Sequence, residues 1–293
     1  MFGEVLFNSN GNFGIPKSLS KHMNKSISIN IKPKEGEYNK NKFLTIIACH
    51  TDTERRVRII INNINKLSFQ GNTIVVVDSS DSLHHSSLKA TVETMYPDIK
   101  VYSTRNTPHL DIGKFMFYIR NHYEPLYEHI VLTNDSYYLT DTIYHYYKSM
   151  STNNAQLYGY NDSTQVRYHY QSYLYSVRKE ALDLLTKHYL QVAPKLSGYM
   201  KVVELIELKL CDIFRTKDCF IKIGHLPFHK GKNIFFNSDK LYNVLLKNGI
   251  LPIVKIKRAN ANNPQTRVSV QQYSAKNVMP LNMLRGAGYQ FST

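Results

Sequence analysis

Residues 129 to 140, HIVLTNDSYYLT, end an apolar run in the triplet Asn134-Asp135-Ser136, a carboxylate between an amide and a hydroxyl. Such a triplet can hold an ion or a phosphate when it stands at the carboxyl end of a buried strand, because strand ends in an open α/β sheet converge on one crevice. Two other runs stop in the same way: FLTIIAC leads into His50-Thr51-Asp52, and TIVVV into Asp78-Ser79-Ser80-Asp81. A strand-end Asp accepts hydrogen bonds from a ribose hydroxyl or a base imide, so these two ends suit a nucleoside. A fourth polar segment runs from His225 to Lys232. Each has a plainer explanation when taken singly, since Asn, Asp and Ser also form turns and caps by bonding their own backbone. Their order along the chain carries the reading.

These ends need a scaffold. KFLTIIAC reads as a buried strand, and Thr51 with Glu54 as a capping box opening a helix whose apolar residues Val57, Ile60, Ile61, Ile64 and Leu67 recur at helical spacing. Gln70-Gly71-Asn72 stops it. TIVVVD is a second strand, a helix is expected from about Ser86 to Met95, and KVYST is a third strand. LDIGKFMFYIRNHY reads as a loop feeding a helix that leads into HIVLTNDS. Later, QLYGY and SYLYSV read as strands, ALDLLTKHYL and VVELIELKLCDIF as helices, and CFIKIGHL as a late strand. KLYNVLLKN is an amphipathic helix with its stop at Asn248-Gly249. Strands alternating with helices of this length predict right-handed crossovers and a mostly parallel, doubly wound sheet. Gly113 either lets backbone approach a ligand or belongs to a helix start with Asp111. Tyr137, Tyr138, Tyr144, Tyr146, Tyr147, Tyr168, Tyr170, Tyr173 and Tyr175 offer stacking faces for sugar rings or, alternatively, core packing.

With 293 residues and 42% hydrophobic content, one domain of roughly 200 to 250 residues with tails is expected. The divisions fall at residues 1–41, an arm rich in Asn, Ser, Lys and Gly; 42–258, the domain; and 259–293, a polar basic tail. No apolar run is long enough to span a bilayer, and the start lacks the pattern of a signal peptide, so a soluble, cytoplasmic protein is expected. Cys49, Cys211 and Cys219 are odd in number and lack C-x-x-C spacing, which argues against a disulfide framework or a zinc site. The formal charge is +15, and from Ile221 onward eight lysines and three arginines face the single acid Asp239, a net +10. That field favours polyanions: nucleic acid, an anionic membrane or the diphosphate of a small ligand.

FLTIIACHTDTERRV followed by TIVVVDSSDS resembles the opening of GT-A-type glycosyltransferases, in which the first strand's loop and the second strand's terminal Asp hold the nucleotide base. NTPHLDIGKFMFYIR, HIVLTNDS, YHYQSYLYSVRKEAL, VVELIELKLCDIF and LPIVKIKR resemble the rhamnan synthesis protein F family, polysaccharide glycosyltransferases of bacteria and large viruses. The resemblance runs from about residue 43 to 258. It implies an α/β, GT-A-like (Rossmann-like), mostly parallel sheet with helices on both faces, and transfer of a sugar such as rhamnose, with inversion, from a nucleotide-sugar donor to a glycan hydroxyl. It places His50, Thr51, Asp52, Asp78, Asp111, Gly113, Lys114, Asn134, Asp135, Lys230 and Lys232 at the donor. It gives Asp135 and His229 to a divalent cation, manganese or magnesium, although the usual Asp-x-Asp is here Asn134-Asp135-Ser136. Glu207 is the implied base, with Glu204 second; on one continuous helix both would share a face, where they also read as solvated charges. The implied partners are a UDP- or dTDP-linked donor and a glycan or glycolipid acceptor, with peripheral contact to anionic membrane and, for a viral protein, a host-cytoplasmic location. Two other readings stand beside this one. The first is a nucleic-acid-binding protein using the basic C-terminal quarter, and the second a glycosyltransferase-like binding protein without activity.

Overall fold

The run FLTIIAC has no polar alternation, and as β1 (Phe43–Cys49) it is buried along its whole length, as a central parallel strand must be. The computed structural model describes residues 42–152, 155–160, 162–163, 166–214, 221–223 and 252–255, all within one unit of the chain, Tyr38–Thr293. After β1 come α1 (Glu54–Leu67), β2 (Asn72–Asp78), α2 (Leu83–Met95), β3 (Lys100–Ser103), α3 (Leu110–Asn121) and β4 (His129–Asn134). The four strands are parallel in the order β3-β2-β1-β4, with Cys49 level with Asp78 and Ala48 level with Asn134. The chain thus steps outward from β1 to β3 and then returns to lay β4 on β1's other side. That reversal opens a crevice between the carboxyl ends of β1 and β4.

The remainder comprises β5 (Tyr137–Leu139), α4 (Ile143–Ser151), β6 (Leu157–Gly159), β7 (Asp162–Ser163), β8 (His169–Tyr170), β9 (Leu174–Arg178), α5 (Leu182–Val192), α6 (Tyr199–Leu205), α7 (Leu210–Ile213), β10 (Ile221–Ile223) and β11 (Ile253–Lys255). β9 lies antiparallel between β4 and β6, which gives the seven-stranded order β10-β6-β9-β4-β1-β2-β3. Alternate β1 side chains enter two cores. Phe43, Ile47 and Cys49 pack with α1, α2 and α4, while Leu44, Ile46 and Ala48 pack with α3 and α5. Helices therefore cover both faces, and the expected α/β, mostly parallel sheet with helices on both faces is the architecture observed.

Local differences have local causes. α1 is capped by Thr53, whose side chain accepts from the Arg56 N–H, and not by Thr51, whose amide and hydroxyl are both drawn to Asp78. Gly71, at φ 84°, makes the turn into β2. The LDIG segment is the first turn of α3 and not a loop. VVELIELKLCDIF is not one helix: α6 ends at Leu205, a 3-10 turn covers Glu207–Lys209, and α7 follows. Adjacent Val202 and Val203 weaken helix propensity, and burial of Ile206 and Leu210 holds the break. Glu204 and Glu207 consequently lie on different elements, the first exposed and the second half-buried. The segment from Tyr137 to Ser151 holds β5 and α4, which the sequence pattern did not show. Of its tyrosines, Tyr137, Tyr138, Tyr146 and Tyr147 are buried, with Tyr147 edge-on to Phe43 at 5.2 Å, so they serve packing. Cys49 and Cys211 are buried and not joined in a disulfide. Residues 1–41 and 259–293, Cys219 and the KLYNVLLKN helix lie outside the described residues. Among the described residues no helix is long and apolar enough to cross a membrane.

Candidate functional site

The ends of β1 and β2 are tied together by one carboxylate. Asp78 is fully buried; its Oδ1 accepts from the amides of Thr51 at 3.0 Å and Ser80 at 3.1 Å. Its Oδ2 accepts from the Thr51 hydroxyl and from His85 Nδ1 at 2.9 Å. Four bonds occupy both oxygens, so Asp78 fixes two loops and orients an imidazole. His50 Nδ1 and Ser79 Oγ share a hydrogen bond of 3.1 Å beside it.

The switch-point crevice next to this group is built from β1, α1, α3 and β4. Asp135 Oδ2 accepts from the His50 N–H at 3.1 Å and from Arg56 Nη1 at 2.8 Å, while Arg56 Nε faces the exposed Asp52 at 3.2 Å. Burial raises the Asp135 pKa above the usual carboxylate value, against the opposing pull of Arg56 and the His50 amide. Asn134 donates its amide to Asp111 Oδ2 at 2.8 Å, and Asp111 Oδ1 is 3.3 Å from Lys114 Nζ. Asn134 Oδ1 accepts from the Ser136 N–H at 3.1 Å and the Ser136 hydroxyl at 2.7 Å. Lys255, opposite Tyr137 in the β5–β11 pair, donates to Ser136 Oγ at 3.1 Å and lies 3.4 Å from the centre of the Tyr173 ring, a cation–π contact. Gly113 fits closely against its own chain: a Cβ there would come within 2.8 Å of His109 Cβ.

Because β9 runs antiparallel to β4, its beginning reaches this same edge. Ser172 there donates to Glu207 Oε2 at 2.9 Å, and His169 Nε2 is 3.8 Å from Glu207 Oε1. The His169 Nδ1 donates to the Arg167 carbonyl at 2.7 Å, which in the neutral ring makes Nε2 the acceptor for Gln171 Nε2 at 3.0 Å. Burial pushes the Tyr175 hydroxyl up, and the charges of Asp111 and Glu207 act in the same direction. Both carboxylates are thus within electrostatic reach of one hydroxyl. Glu204 is exposed and pairs with Lys201 at 2.7 Å.

Of the residues expected from sequence, the structure joins His50, Thr51 and Asp78, then Asp52 with Asp135 through Arg56, then Asp111, Lys114 and Asn134. Glu207 stands one strand further. His229, Lys230 and Lys232 lie outside the described residues. Sequence reasoning missed Arg56, His85, Ser172 and Lys255. Arg56 had one local signal, its four-residue spacing from Asp52, whereas the others are brought in by pairing alone. For a divalent cation, the described residues fit poorly. No group of three or more His, Cys, Asp or Glu side chains converges among them, and the oxygens of Asn134 and Asp111 and one oxygen of Asp135 are already engaged.

No protein-family model matches the chain, and no curated protein matches it in sequence. Solved structures match it only at low identity and low TM-score. The mannosyltransferase PcManGT from Pyrobaculum calidifontis, in complex with GDP-Man and Mn2+, has a TM-score of 0.43 at 12% identity, over 88% of this chain and 83% of that one. S. aureus TarS, residues 1–349, has a TM-score of 0.43 at 12% identity, over 77% and 68%. The 4-diphosphocytidyl-2C-methyl-D-erythritol synthase from Anaerococcus prevotii has a TM-score of 0.44 at 10% identity, over 67% and 95%. A likeness at that level carries no argument, and the α/β assignment stands on the strand order itself.

Proposed function

We propose that this chain is a nucleotide-sugar glycosyltransferase of the kind the rhamnan synthesis protein F resemblance implies, moving rhamnose or a similar sugar to a glycan or glycolipid hydroxyl with inversion. One observation supports this most: a cluster of polar and charged side chains at the β1/β4 switch point, with the Asp78 loop group on one side and Glu207 on the other. Switch-point crevices take nucleotides because strand ends and helix starts converge there. In the proposed reaction the acceptor oxygen attacks the anomeric carbon, and its proton passes to Glu207 Oε1. The carbon–oxygen bond to the diphosphate breaks, and the nucleoside diphosphate leaves with the electron pair. Ser172 holds the Glu207 carboxylate by its other oxygen, so the attacking geometry is set before the acceptor arrives. His50, His85 and the Asp78 loops face the nucleoside of a UDP- or dTDP-linked donor. A glycolipid acceptor would be met with the basic C-terminal quarter of the sequence on anionic lipid.

The test is a screen of UDP-, dTDP-, GDP- and CMP-linked sugars for transfer or slow hydrolysis, repeated with Glu207→Gln. The expected outcome is that the variant loses about 10²- to 10⁴-fold in kcat with its melting temperature unchanged. Full activity in the variant would remove Glu207 from the role.

A further inference from the structure

The carboxyl end of β4 is where a divalent cation would be expected to bridge a diphosphate, and there the protein's own cations occupy the acceptors. Arg56 Nη1 sits 2.8 Å from Asp135 Oδ2, and Lys114 Nζ sits 3.3 Å from Asp111 Oδ1. Asn134 Oδ1 is spent on two bonds from Ser136. A hard divalent ion needs about six oxygens in near-ideal geometry. At Asp135 it would find Oδ2 taken by the His50 amide and the guanidinium, and on the remaining oxygen it would stand beside the positive charges of Arg56 and Lys114.

The same place collects cations from three separate elements: Arg56 from α1, Lys114 from α3 and Lys255 from β11. They are held in advance. Arg56 is clamped between Asp52 and Asp135, which uses Nε and Nη1 and leaves three further N–H groups for a planar, bidentate partner. Lys114 is nearly buried, with 8% of its side chain exposed, and its ammonium has donors beyond the one on Asp111. Lys255 is seated on Ser136 and the Tyr173 face. Cations fixed before a ligand arrives lose little freedom when it binds and need no reorganisation as charge develops.

We infer, resting on the donor-site reading above, that Arg56, Lys114 and Lys255 contact the diphosphate of the nucleotide directly, so that the nucleotide binds and departs without a divalent cation. Arg56 takes the place of the metal on Asp135. When the bond between sugar and diphosphate breaks, the electron pair goes to a phosphate oxygen, and the Arg56 fork with the two ammonium groups carries that charge.

The test is calorimetric titration of the full chain with UDP, dTDP, GDP and CDP, first in EDTA and then in excess manganese. At least one nucleotide is expected to bind in EDTA with a Kd that manganese leaves unchanged. The double variant Arg56→Gln, Asp135→Asn keeps a neutral hydrogen-bonding pair, so no charge is left buried alone. It is expected to bind about 10- to 100-fold more weakly with the melting temperature of the free protein retained. If that variant melts early, Lys255→Gln gives the same reading by weaker binding. Nucleotide binding that requires manganese, or variants that bind like the natural protein, would overturn the inference and leave the donor-site reading intact. Absence of binding to all four nucleotides under both conditions would overturn both.

Discussion

Asp78 and Asp135 are the same side chain at the carboxyl ends of β2 and β4, the two strands that flank β1, and their surroundings give them different work. Asp78 has every acceptor position filled by its own loops, so it builds the site, while Asp135 faces Arg56 and the crevice. The sequence made both legible as strand-end carboxylates. It held no sign of which one was spent, because the partners Thr51 and Arg56 lie 27 and 79 positions away. Gly113 is a similar case. Its missing side chain accommodates His109, whose ring is tied to the Tyr189 hydroxyl at 2.7 Å and cannot easily yield. Gly113→Ala should therefore strain the first turn of α3. Crowding costs about 1–3 kcal/mol, more than the roughly 1 kcal/mol that alanine returns in helix propensity, and a lowered urea midpoint is the expected measurement. A stabilised variant would show that the turn relaxes freely.

At the scale of elements, the antiparallel β9 and the pair β5–β11 matter most to the site. β9 presents its beginning, not its end, to the crevice, and so delivers Ser172 beside Glu207. The break between α6 and α7 does the complementary job by turning Glu207 inward while Glu204 stays exposed. LPIVKIKR contributes only three residues to a strand, yet Ile253 and Val254 are fully buried, which anchors Lys255 over Tyr173. Ile253→Ala should cost about 2–5 kcal/mol, as large-to-small changes in a packed core do, and should weaken nucleotide binding along with it. Normal stability in that variant would show that β11 is not an integral part of the fold. The parallel strands and their helices were legible because continuous apolar runs and helical spacing are local patterns. β5, β11 and the broken helix were not, since each depends on what it packs against.

Over the whole molecule, two apolar layers sandwich the sheet, and an imidazole is enclosed in the layer on the α1 side. His129 is 1% exposed, its two ring nitrogens have no hydrogen-bond partner among the described residues, and it packs 5.7 Å from Phe43. Burial, with the nearby charges of Arg178 and Lys42, lowers its pKa from 6.5 to about 4. The unfolded chain therefore takes up this proton first as pH falls. Stability from the neutral ring is complete above pH 6.5 and is lost as pH drops toward 4, on the order of 3 kcal/mol in all. Urea unfolding across that interval should show a steeper loss for the natural protein than for His129→Leu, and parallel curves would mean that the ring is protonated or hydrated in the fold. The sequence by itself determined the α/β class, the order of the first four strands along the chain, and the polar character of their ends, because hydrophobic period and strand termination are written in neighbouring residues. Only the tertiary structure decided that Arg56 stands on Asp135, 79 residues away, and Lys255 on Ser136, 119 residues away. Those meetings depend on strand order and register across the sheet, which set distances between loops that no local pattern contains.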